Sequence, residues 1–296
     1  MAVTLWVAVC TNRRPEDVAG CLEALRAQVP ADRLALVASG LAASEVERHR
    51  AAFDGTVLEE QRPGLSLARN RALAWVPDGQ TDVLAFVDDD AVAADDWHEV
   101  LERRWDEAPP EVACVGGPIR PRFAATPPPW FSDGIAHVLT LLDRGPEVRD
   151  LDPAVEAVYG ANISFRARPL RDLGGFDPAL GHAAGRVFFG EEDAAERELH
   201  RRGHLIRYVP DAAVWHTIPA ERLTRGSFLR RRYAFGRALG ARGARSKRAA
   251  AGRAITTGAG ALLAAARGDQ ALAMVRAVRA AENLGVVAAR PRSGRA

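Results

Sequence analysis

Short apolar runs alternate with amphipathic segments through the first third of the chain, and this alternation constrains the fold more than any other feature. Short apolar runs are typical of buried strands, whereas apolar residues spaced three and four apart indicate helices that bury one face. The predicted strands are residues 5–9, 34–38, 56–58 and 83–87. The predicted helices are residues 15–28, 44–53, 66–75 and 95–105. Strands that alternate with helices predict an α/β fold with a mostly parallel sheet covered on both faces.

Three consecutive carboxylates, Asp88 to Asp90, follow the predicted strand at residues 83–87. Ligands of open α/β folds bind at the carboxyl edge of the sheet, which is where these acids are expected. Like charges this close raise one another's pKa unless a cation shares the site. A divalent metal with oxygen ligands, which usually carries phosphates, is the simplest such cation. A solvated acidic turn is the alternative that the same residues allow.

A second acidic group, Gly190-Glu191-Glu192-Asp193, opens a segment predicted to be helical as far as Gly203. One of these carboxylates could act as a general base that removes a proton from an acceptor hydroxyl or amine, with the loop 188–190 at the edge of a cleft. Acids also stabilise the first turn of any helix, so a purely structural role is equally consistent with the sequence.

Two weaker motifs could join such a site. His216 follows an apolar run and is either a structural residue or a group that completes a metal shell begun by Asp90. The turn at residues 62–64 leads into a helix whose start presents Arg69 and Asn70, an arrangement suited to a phosphate or a nucleotide edge. An ordinary capped helix with a surface arginine is the alternative.

Basic residues cluster towards the C-terminus, although the formal net charge of the whole chain is only +2. Residues 222–253, which we call the basic stretch, contain no acid. Its basic residues are Arg222, Arg225, Arg230, Arg231, Arg232, Arg237, Arg242, Arg245, Lys247, Arg248 and Arg253. The stretch predicts a positive face for an acidic carrier protein or an anionic membrane surface. A solvated helical face is the alternative, and nothing in the motifs favours nucleic acid.

At 296 residues the chain is long enough for a large core with a smaller appendage. We place an α/β domain at residues 1–219 and an Arg/Ala-rich helical extension at residues 220–296. Three cysteines without disulfide or metal spacing, and an N-terminus that reads as a strand, predict a cytoplasmic protein. The apolar segment 255–266 is too short to span a bilayer.

Taken in order, the motifs resemble those of bacterial family 2 glycosyltransferases of the GT-A fold. The resemblance runs from about residue 5 to about residue 237, and the order of the motifs carries it because each alone is weak. The motifs are Cys10-Thr11-Asn12-Arg13, Gly64-Leu65-Ser66 with Ala68-Arg69-Asn70, Phe86 to Asp90, Gly160-Ala161-Asn162 to Phe165, Gly174-Gly175-Phe176-Asp177, Glu192-Asp193 and Val209-Pro210-Asp211 to His216.

The resemblance implies a Rossmann-like mixed sheet and an inverting, metal-dependent transfer of a hexosyl or N-acetylhexosaminyl group from a nucleoside diphosphate sugar. Asp90 and Asp88 match the D-x-D motif that holds Mg²⁺ or Mn²⁺, and the metal neutralises charge on the departing diphosphate. Asp193 matches the usual catalytic base, with Glu192 beside it.

The resemblance also assigns binding roles. Those for the nucleotide are Thr11, Arg13, Arg69 and Asp88; those for the sugar and acceptor are Gly160, Ala161 and Asn162. His216 matches a position near the metal or diphosphate, and Trp130 and Trp215 are expected to stack on the sugar or acceptor. The predicted second strand ends in Ser39-Gly40 without the aspartate that commonly binds uracil in the family, so UDP is retained only as the default nucleotide.

The acceptor is expected to be carrier-bound or lipid-linked, in natural-product or cell-surface glycan synthesis, with the enzyme cytoplasmic or peripheral to the inner membrane face. Two alternatives stay open. One is a catalytically silent relative that binds nucleotide or carrier protein as a scaffold. The other is a sugar nucleotidyltransferase, which would need a glycine-rich phosphate loop and a lysine near the first strand; residues 11–15 contain neither.

Overall fold

The computed structural model describes residues 2–180, 190–241, 243 and 245–289. Its strands are β1 (Thr4–Thr11), β2 (Leu34–Ser39), β3 (Thr56–Glu60), β4 (Asp82–Val87), β5 (Ala91–Ala93), β6 (Val112–Gly116), β7 (Ile119–Phe123), β8 (Arg149–Leu151), β9 (Asn162–Arg166), β10 (Leu205–Tyr208) and β11 (Val214–Ile218). Its helices are α1 (Pro15–Arg26), α2 (Ala43–Ala52), α3 (Leu65–Trp75), α4 (Trp97–Asp106), α5 (Ala167–Asp172), α6 (Glu191–Arg201), α7 (Arg225–Ala241), α8 (Lys247–Ala266) and α9 (Gln270–Ala288).

The described residues form two compact units. The first comprises residues 2–121, 142–180 and 190–217, and the second comprises residues 122–141 together with the described residues from 218 to 289.

The first unit is built on a mixed sheet with the strand order β3-β2-β1-β4-β9-β6-β10-β8. The first four of these strands are parallel, and β9 runs antiparallel to both β4 and β6. β10 is parallel to β6, and β8 pairs antiparallel with β10. Every residue of β2, β4 and β6 is buried, as expected where helices cover both faces. The predicted mostly parallel α/β sheet is therefore confirmed.

The elements predicted in the first third of the chain are present, with ends that differ by a few residues. Helix α4 begins at Trp97 and not at residue 95, and β3 continues to Glu60. Strand β6 was missed, although it lies inside the sheet between β9 and β10. No helical segment follows it directly along the chain, so the strand–helix alternation that identified the earlier strands gave no signal here.

The second unit contains the helical C-terminal region, where α9 packs against both α7 and α8. Gly285 of α9 lies so close to α7 that a Cβ there would approach the carbonyl oxygen of Tyr233 to 2.1 Å. Glu282 of α9 is buried and forms ion pairs with Arg232 and Arg245. Phe228 of α7 is fully buried, with its ring 5.2 Å from that of Trp130. Within the described residues, no helix combines the length and apolar character that a membrane span requires.

Candidate functional site

The acidic run follows β4 directly and leads into β5. The backbone N–H of Asp88 donates to the carbonyl of Ala161 at 3.5 Å, and the N–H of Ala91 donates to the carbonyl of Asp88 at 2.9 Å. The first acid is thus held against the start of β9. Because β1 is the parallel neighbour of β4, its carboxyl end lies beside the same turn.

Thr11 and Arg13, at the end of β1, contact the second acid. The Thr11 hydroxyl donates to Asp89 at 2.6 Å and accepts from the backbone N–H of Arg13 at 3.0 Å. The Arg13 guanidinium lies 3.4 Å from the carboxylate of Asp89. Two residues expected to bind nucleotide therefore lie at the acidic turn, where their nearest polar partner is a carboxylate.

The third acid, Asp90, joins two elements that are far apart in the sequence. One of its carboxylate oxygens lies 3.1 Å from Nε2 of His216, and the other accepts a 3.1 Å hydrogen bond from Arg13. Antiparallel pairing of β5 with β11 places His216 opposite Ala91, so sheet register determines this contact. The side chain of His216 is buried. The structure therefore brings Asp90 and His216 together, and the metal role suggested for His216 stays a prediction.

The pKa of Asp88 is raised to about 6. Desolvation is the largest cause and Arg69 opposes it, while the charges of Asp90 and Asp89 raise the pKa further. An additional cation close to Asp88 would favour the ionised form of its carboxyl group.

The side chains at the acidic turn suit a divalent cation that is bound together with substrate phosphates. Within the described part of the chain, no three acidic, histidine or cysteine side chains converge closely enough to hold an ion by themselves. Mg²⁺, however, is usually held by one or two carboxylates together with substrate phosphates, and not by an all-protein cage. Asp88 and Asp90 supply such carboxylates, and an imidazole such as that of His216 is acceptable to Mn²⁺.

Arg69 of α3 connects the two acidic groups. Its guanidinium donates to Glu191 at 2.7 Å and lies 3.6 Å from Glu192 and 3.9 Å from Asp88. Phe86 and Phe176 flank it, with ring centroids 5.4 and 5.7 Å from the guanidinium carbon. Nearby carboxylates raise the pKa of Arg69 despite its burial. The sequence predicted a nucleotide contact here, whereas the structure gives this side chain internal partners.

Gly160 has no side chain, and the guanidinium of Arg69 occupies the space that a side chain would fill. A Cβ at this position would lie 2.1 Å from an Nη atom of Arg69. Any larger residue here would have to displace the guanidinium from its position over the backbone.

The three acids that begin α6 differ in exposure and in their partners. The side chain of Glu191 is almost fully buried, that of Glu192 is 19% exposed and that of Asp193 is 31% exposed. Asp193 pairs with Arg197 one turn along the same helix at 3.4 Å. Glu192 instead faces Arg69, and its Oε2 has no hydrogen-bond partner in the described part of the chain.

Glu191 and Glu192 differ in protonation although they are adjacent. Burial, reinforced by the charge of Glu192, raises the pKa of Glu191 to about 8. Burial also disfavours ionisation of Glu192, but Arg69 and backbone hydrogen bonds outweigh it and hold the pKa of Glu192 below its usual value. The pair therefore presents one carboxylate, on Glu192, next to a carboxyl group that retains its proton more readily. Sequence reasoning did not separate these two, because only the rotation of α6 decides which acid lies inward.

Asn162 has internal partners on both ends of its amide. Its Nδ2 donates to the carbonyls of Pro118 and Ala212 at 3.0 and 2.7 Å, and its Oδ1 accepts from the indole of Trp97 at 3.0 Å. Asn162 and Ala161 are both buried. These contacts hold the segment that carries Gly160 against the sheet.

The two tryptophans expected to bind acceptor belong to different units. Trp130 is buried against Phe228 in the second unit. Trp215 in the first unit is partly exposed, with the guanidinium of Arg120 5.8 Å from its ring centroid. The acceptor roles of both stay predictions. Residues 188 and 189 of the expected cleft-edge loop, and Arg242 of the basic stretch, lie outside the described residues.

Residues 6–172, more than half of the chain, match the family described as Glycosyl transferase family 2. The chain belongs to this family. It is 29% identical over 226 residues to the glucosyl-dolichyl phosphate glucuronosyltransferase of Haloferax volcanii, covering 74% of this chain and 70% of the relative. It is 31% identical over 247 residues to the succinoglycan biosynthesis protein ExoM of Rhizobium meliloti, and this match covers 79% of this chain and 73% of the relative.

A solved mannosyltransferase from Pyrobaculum calidifontis, in complex with GDP-Man and Mn²⁺, has the same fold with a TM-score of 0.55. The two sequences are 18% identical, and the match covers 93% of this chain and 86% of the chain in that structure. The GT-A fold predicted from the motifs is confirmed, and the protein is a family 2 glycosyltransferase.

Proposed function

We propose that this family 2 glycosyltransferase moves a hexosyl or N-acetylhexosaminyl group from a nucleoside diphosphate sugar to a lipid-linked acceptor, with inversion and with a divalent metal. The observation that carries the proposal is the Arg69 cluster, in which one guanidinium lies 3.9 Å from Asp88 of the D-x-D motif and 3.6 Å from Glu192. The buried guanidinium of Arg69 thus lies close both to Asp88, which is expected to bind the donor, and to Glu192, the candidate base. In this proposal residues 1–219 form the catalytic domain and residues 220–296 the extension.

Asp88 and Asp90 are the carboxylates assigned to the metal, with His216 beside Asp90. When bound, Mg²⁺ or Mn²⁺ supplies positive charge against the departing diphosphate. Arg13 spans Asp89 and Asp90, so it fixes the turn that presents these oxygens. UDP is the default nucleotide, although the second strand ends in Ser39-Gly40 without the aspartate that is common in the family.

Glu192 is our candidate base in preference to Asp193, which the sequence favoured. A base must be ionised and must reach the proton that it removes. Glu192 meets the first condition because its pKa is held low, and its Oε2, 3.6 Å from the Arg69 guanidinium, makes no hydrogen bond among the described residues. Asp193 is directed towards Arg197 instead.

The proposed reaction is a single displacement. The acceptor hydroxyl gives its proton to Glu192, and its oxygen forms a bond to the anomeric carbon from the face opposite the diphosphate. The bond from that carbon to the diphosphate oxygen breaks at the same time, and the nucleoside diphosphate leaves with the electron pair. Inversion follows, and no covalent enzyme intermediate forms.

The names of the relatives support a lipid-linked or polymeric glycan acceptor. The Haloferax volcanii relative is named for action on glucosyl-dolichyl phosphate, and the Rhizobium meliloti relative for succinoglycan biosynthesis. We place the enzyme in cell-surface glycan synthesis for this reason, working from the cytoplasmic side.

Titration calorimetry of UDP, GDP and dTDP, each with and without Mn²⁺, tests the donor half of the proposal. We expect one nucleotide to bind at least tenfold more tightly with the metal, and slow metal-stimulated hydrolysis of the corresponding sugar nucleotide. Binding without any turnover would favour the silent scaffold. Pyrophosphate release from a sugar phosphate and a nucleoside triphosphate would favour the nucleotidyltransferase.

A further inference from the structure

The side of α8 that faces away from α9 carries large apolar residues in water. Ile255, Leu262 and Leu263 are 73%, 75% and 50% exposed. Their spacing of seven and eight residues places them on one side of the helix. Ala250, Ala254 and Ala264 are the buried residues of α8, and they lie on the opposite side. We call the side with Ile255, Leu262 and Leu263 the outer face of α8.

The charges around the outer face have one sign. Lys247, Arg248 and Arg253 are exposed in the first half of α8, and Arg267 is exposed directly after its end. No acid occurs between Arg222 and Gly268. A partner for this surface must therefore combine negative charge with an apolar interior.

Two kinds of partner fit this surface less well. A second copy of the chain would oppose the same positive charges, and like charges in contact are destabilising. Nucleic acid offers phosphates but no apolar volume for isoleucine and leucine side chains. An anionic lipid surface supplies both requirements, because its headgroups carry negative charge and the acyl region beneath them accepts apolar side chains.

We propose that the outer face of α8 binds the surface of anionic membranes, with Ile255, Leu262 and Leu263 inserted among the lipids. Helix α8 has 20 residues and lies in the plane of the interface, about 30 Å long. Arg248, seven residues before Ile255 and therefore on the same side of α8, contacts headgroup phosphates, whereas Lys247 donates to the carbonyl of Ala289 at the end of α9. This inference goes beyond sugar transfer and stands whichever donor or acceptor the enzyme uses.

Vesicle co-sedimentation of the full chain tests this surface. We expect binding to vesicles with roughly one-third anionic phosphatidylglycerol, weak binding to pure phosphatidylcholine, and loss of binding as salt screens the charges. The double variant Leu262→Gln/Leu263→Gln should bind the anionic vesicles about tenfold or more weakly, since it loses two inserted side chains. Its thermal unfolding should match that of the wild type, because both side chains are exposed.

Val155→Gln is the matched control, because Val155 is 82% exposed in the first unit. This control should bind vesicles as the wild type does. Unchanged binding by Leu262→Gln/Leu263→Gln would overturn the proposal. This holds even if Arg248→Gln/Arg253→Gln abolished vesicle binding, because adsorption would then depend on charge alone. A dimer in sedimentation equilibrium that the double variant loses would assign the face to a second copy, and failure of the wild type to bind either vesicle would also refute the proposal.

Discussion

The guanidinium of Arg69 donates a 2.7 Å hydrogen bond to the carboxyl group of Glu191, and each of these side chains is only 2% exposed. Helix α3 and helix α6 are thereby joined by a hydrogen bond between residues 122 positions apart. The same guanidinium lies 3.9 Å from Asp88 and 3.6 Å from Glu192. Arg69 therefore sets the electrostatics of both acidic groups, although its burial gives it little direct access to a ligand.

Arg69→Met should destabilise the protein by about 3 kcal/mol, since it removes the cation next to the Glu192 carboxylate and the hydrogen-bond donor of buried Glu191. Urea unfolding of the variant measures this loss. Adding Glu191→Gln in the same chain should recover part of the stability, because a neutral amide costs less to bury than an unpaired carboxyl group. Wild-type stability of Arg69→Met, or no recovery in the double variant, would contradict a coupled pair.

Gly160→Ala should lower the free energy of unfolding by about 1–3 kcal/mol, because the added methyl would overlap the guanidinium of Arg69. The same variant should lose transferase activity as Arg69 shifts. Gly20→Ala is the control: Gly20 lies within α1 and a Cβ there has no neighbour within 4 Å. This control should raise stability by about 0.5–1 kcal/mol. Equal effects in chemical denaturation would show that the space over Gly160 is not needed.

Glu196 of α6 should make the protein less stable as the pH rises. Its side chain is fully buried, and burial together with the charge of Asp193 raises its pKa well above the usual value. Its one hydrogen bond among the described residues comes from the backbone N–H of Val158 at 3.2 Å. Above about pH 4.3 the unfolded chain releases this proton while the folded chain keeps it, so stability falls until the pH passes the raised folded pKa.

Glu196→Gln cannot lose a proton, so its stability relative to the wild type should increase between about pH 4.5 and pH 8. Thermal unfolding across this range provides the measurement. Glu47→Gln changes a glutamate that is 67% exposed and should show no such trend. A constant difference between Glu196→Gln and the wild type at every pH would argue against a raised pKa.

Asp90→Ala should weaken nucleotide binding about tenfold or more in the presence of Mn²⁺, with little effect on binding without metal. The reason is that Asp90 supplies a carboxylate beside His216 at the end of β4. Calorimetry with and without Mn²⁺ separates the two effects. Asp95→Ala removes an exposed acid a few residues along the chain and serves as the control. If both variants kept the full response to Mn²⁺, Asp90 would not be a metal ligand.

The first four strands and their mostly parallel sheet could be predicted because each of these strands is followed by a segment with helical periodicity, whereas the order of the strands in the sheet could not. The contact between Asp90 and His216 could also be anticipated, since both residues belong to motifs that the family resemblance brings to one site. The inward position of Glu192 could not be predicted, because adjacent acids in the first turn of a helix look alike in sequence. Nor could the burial of Arg69, since a polar helix start with an arginine gives no indication of which neighbours surround it.

Comparison of Glu192→Gln with Asp193→Asn tests the central claim most directly. Both variants keep side-chain volume and remove a carboxylate, and both should bind donor nucleotide as the wild type does. If Glu192 is the base, Glu192→Gln should lower the rate of sugar transfer by about 10²–10⁴, while Asp193→Asn stays within a few-fold of the wild type. The opposite result, with transfer lost in Asp193→Asn and retained in Glu192→Gln, would contradict the account.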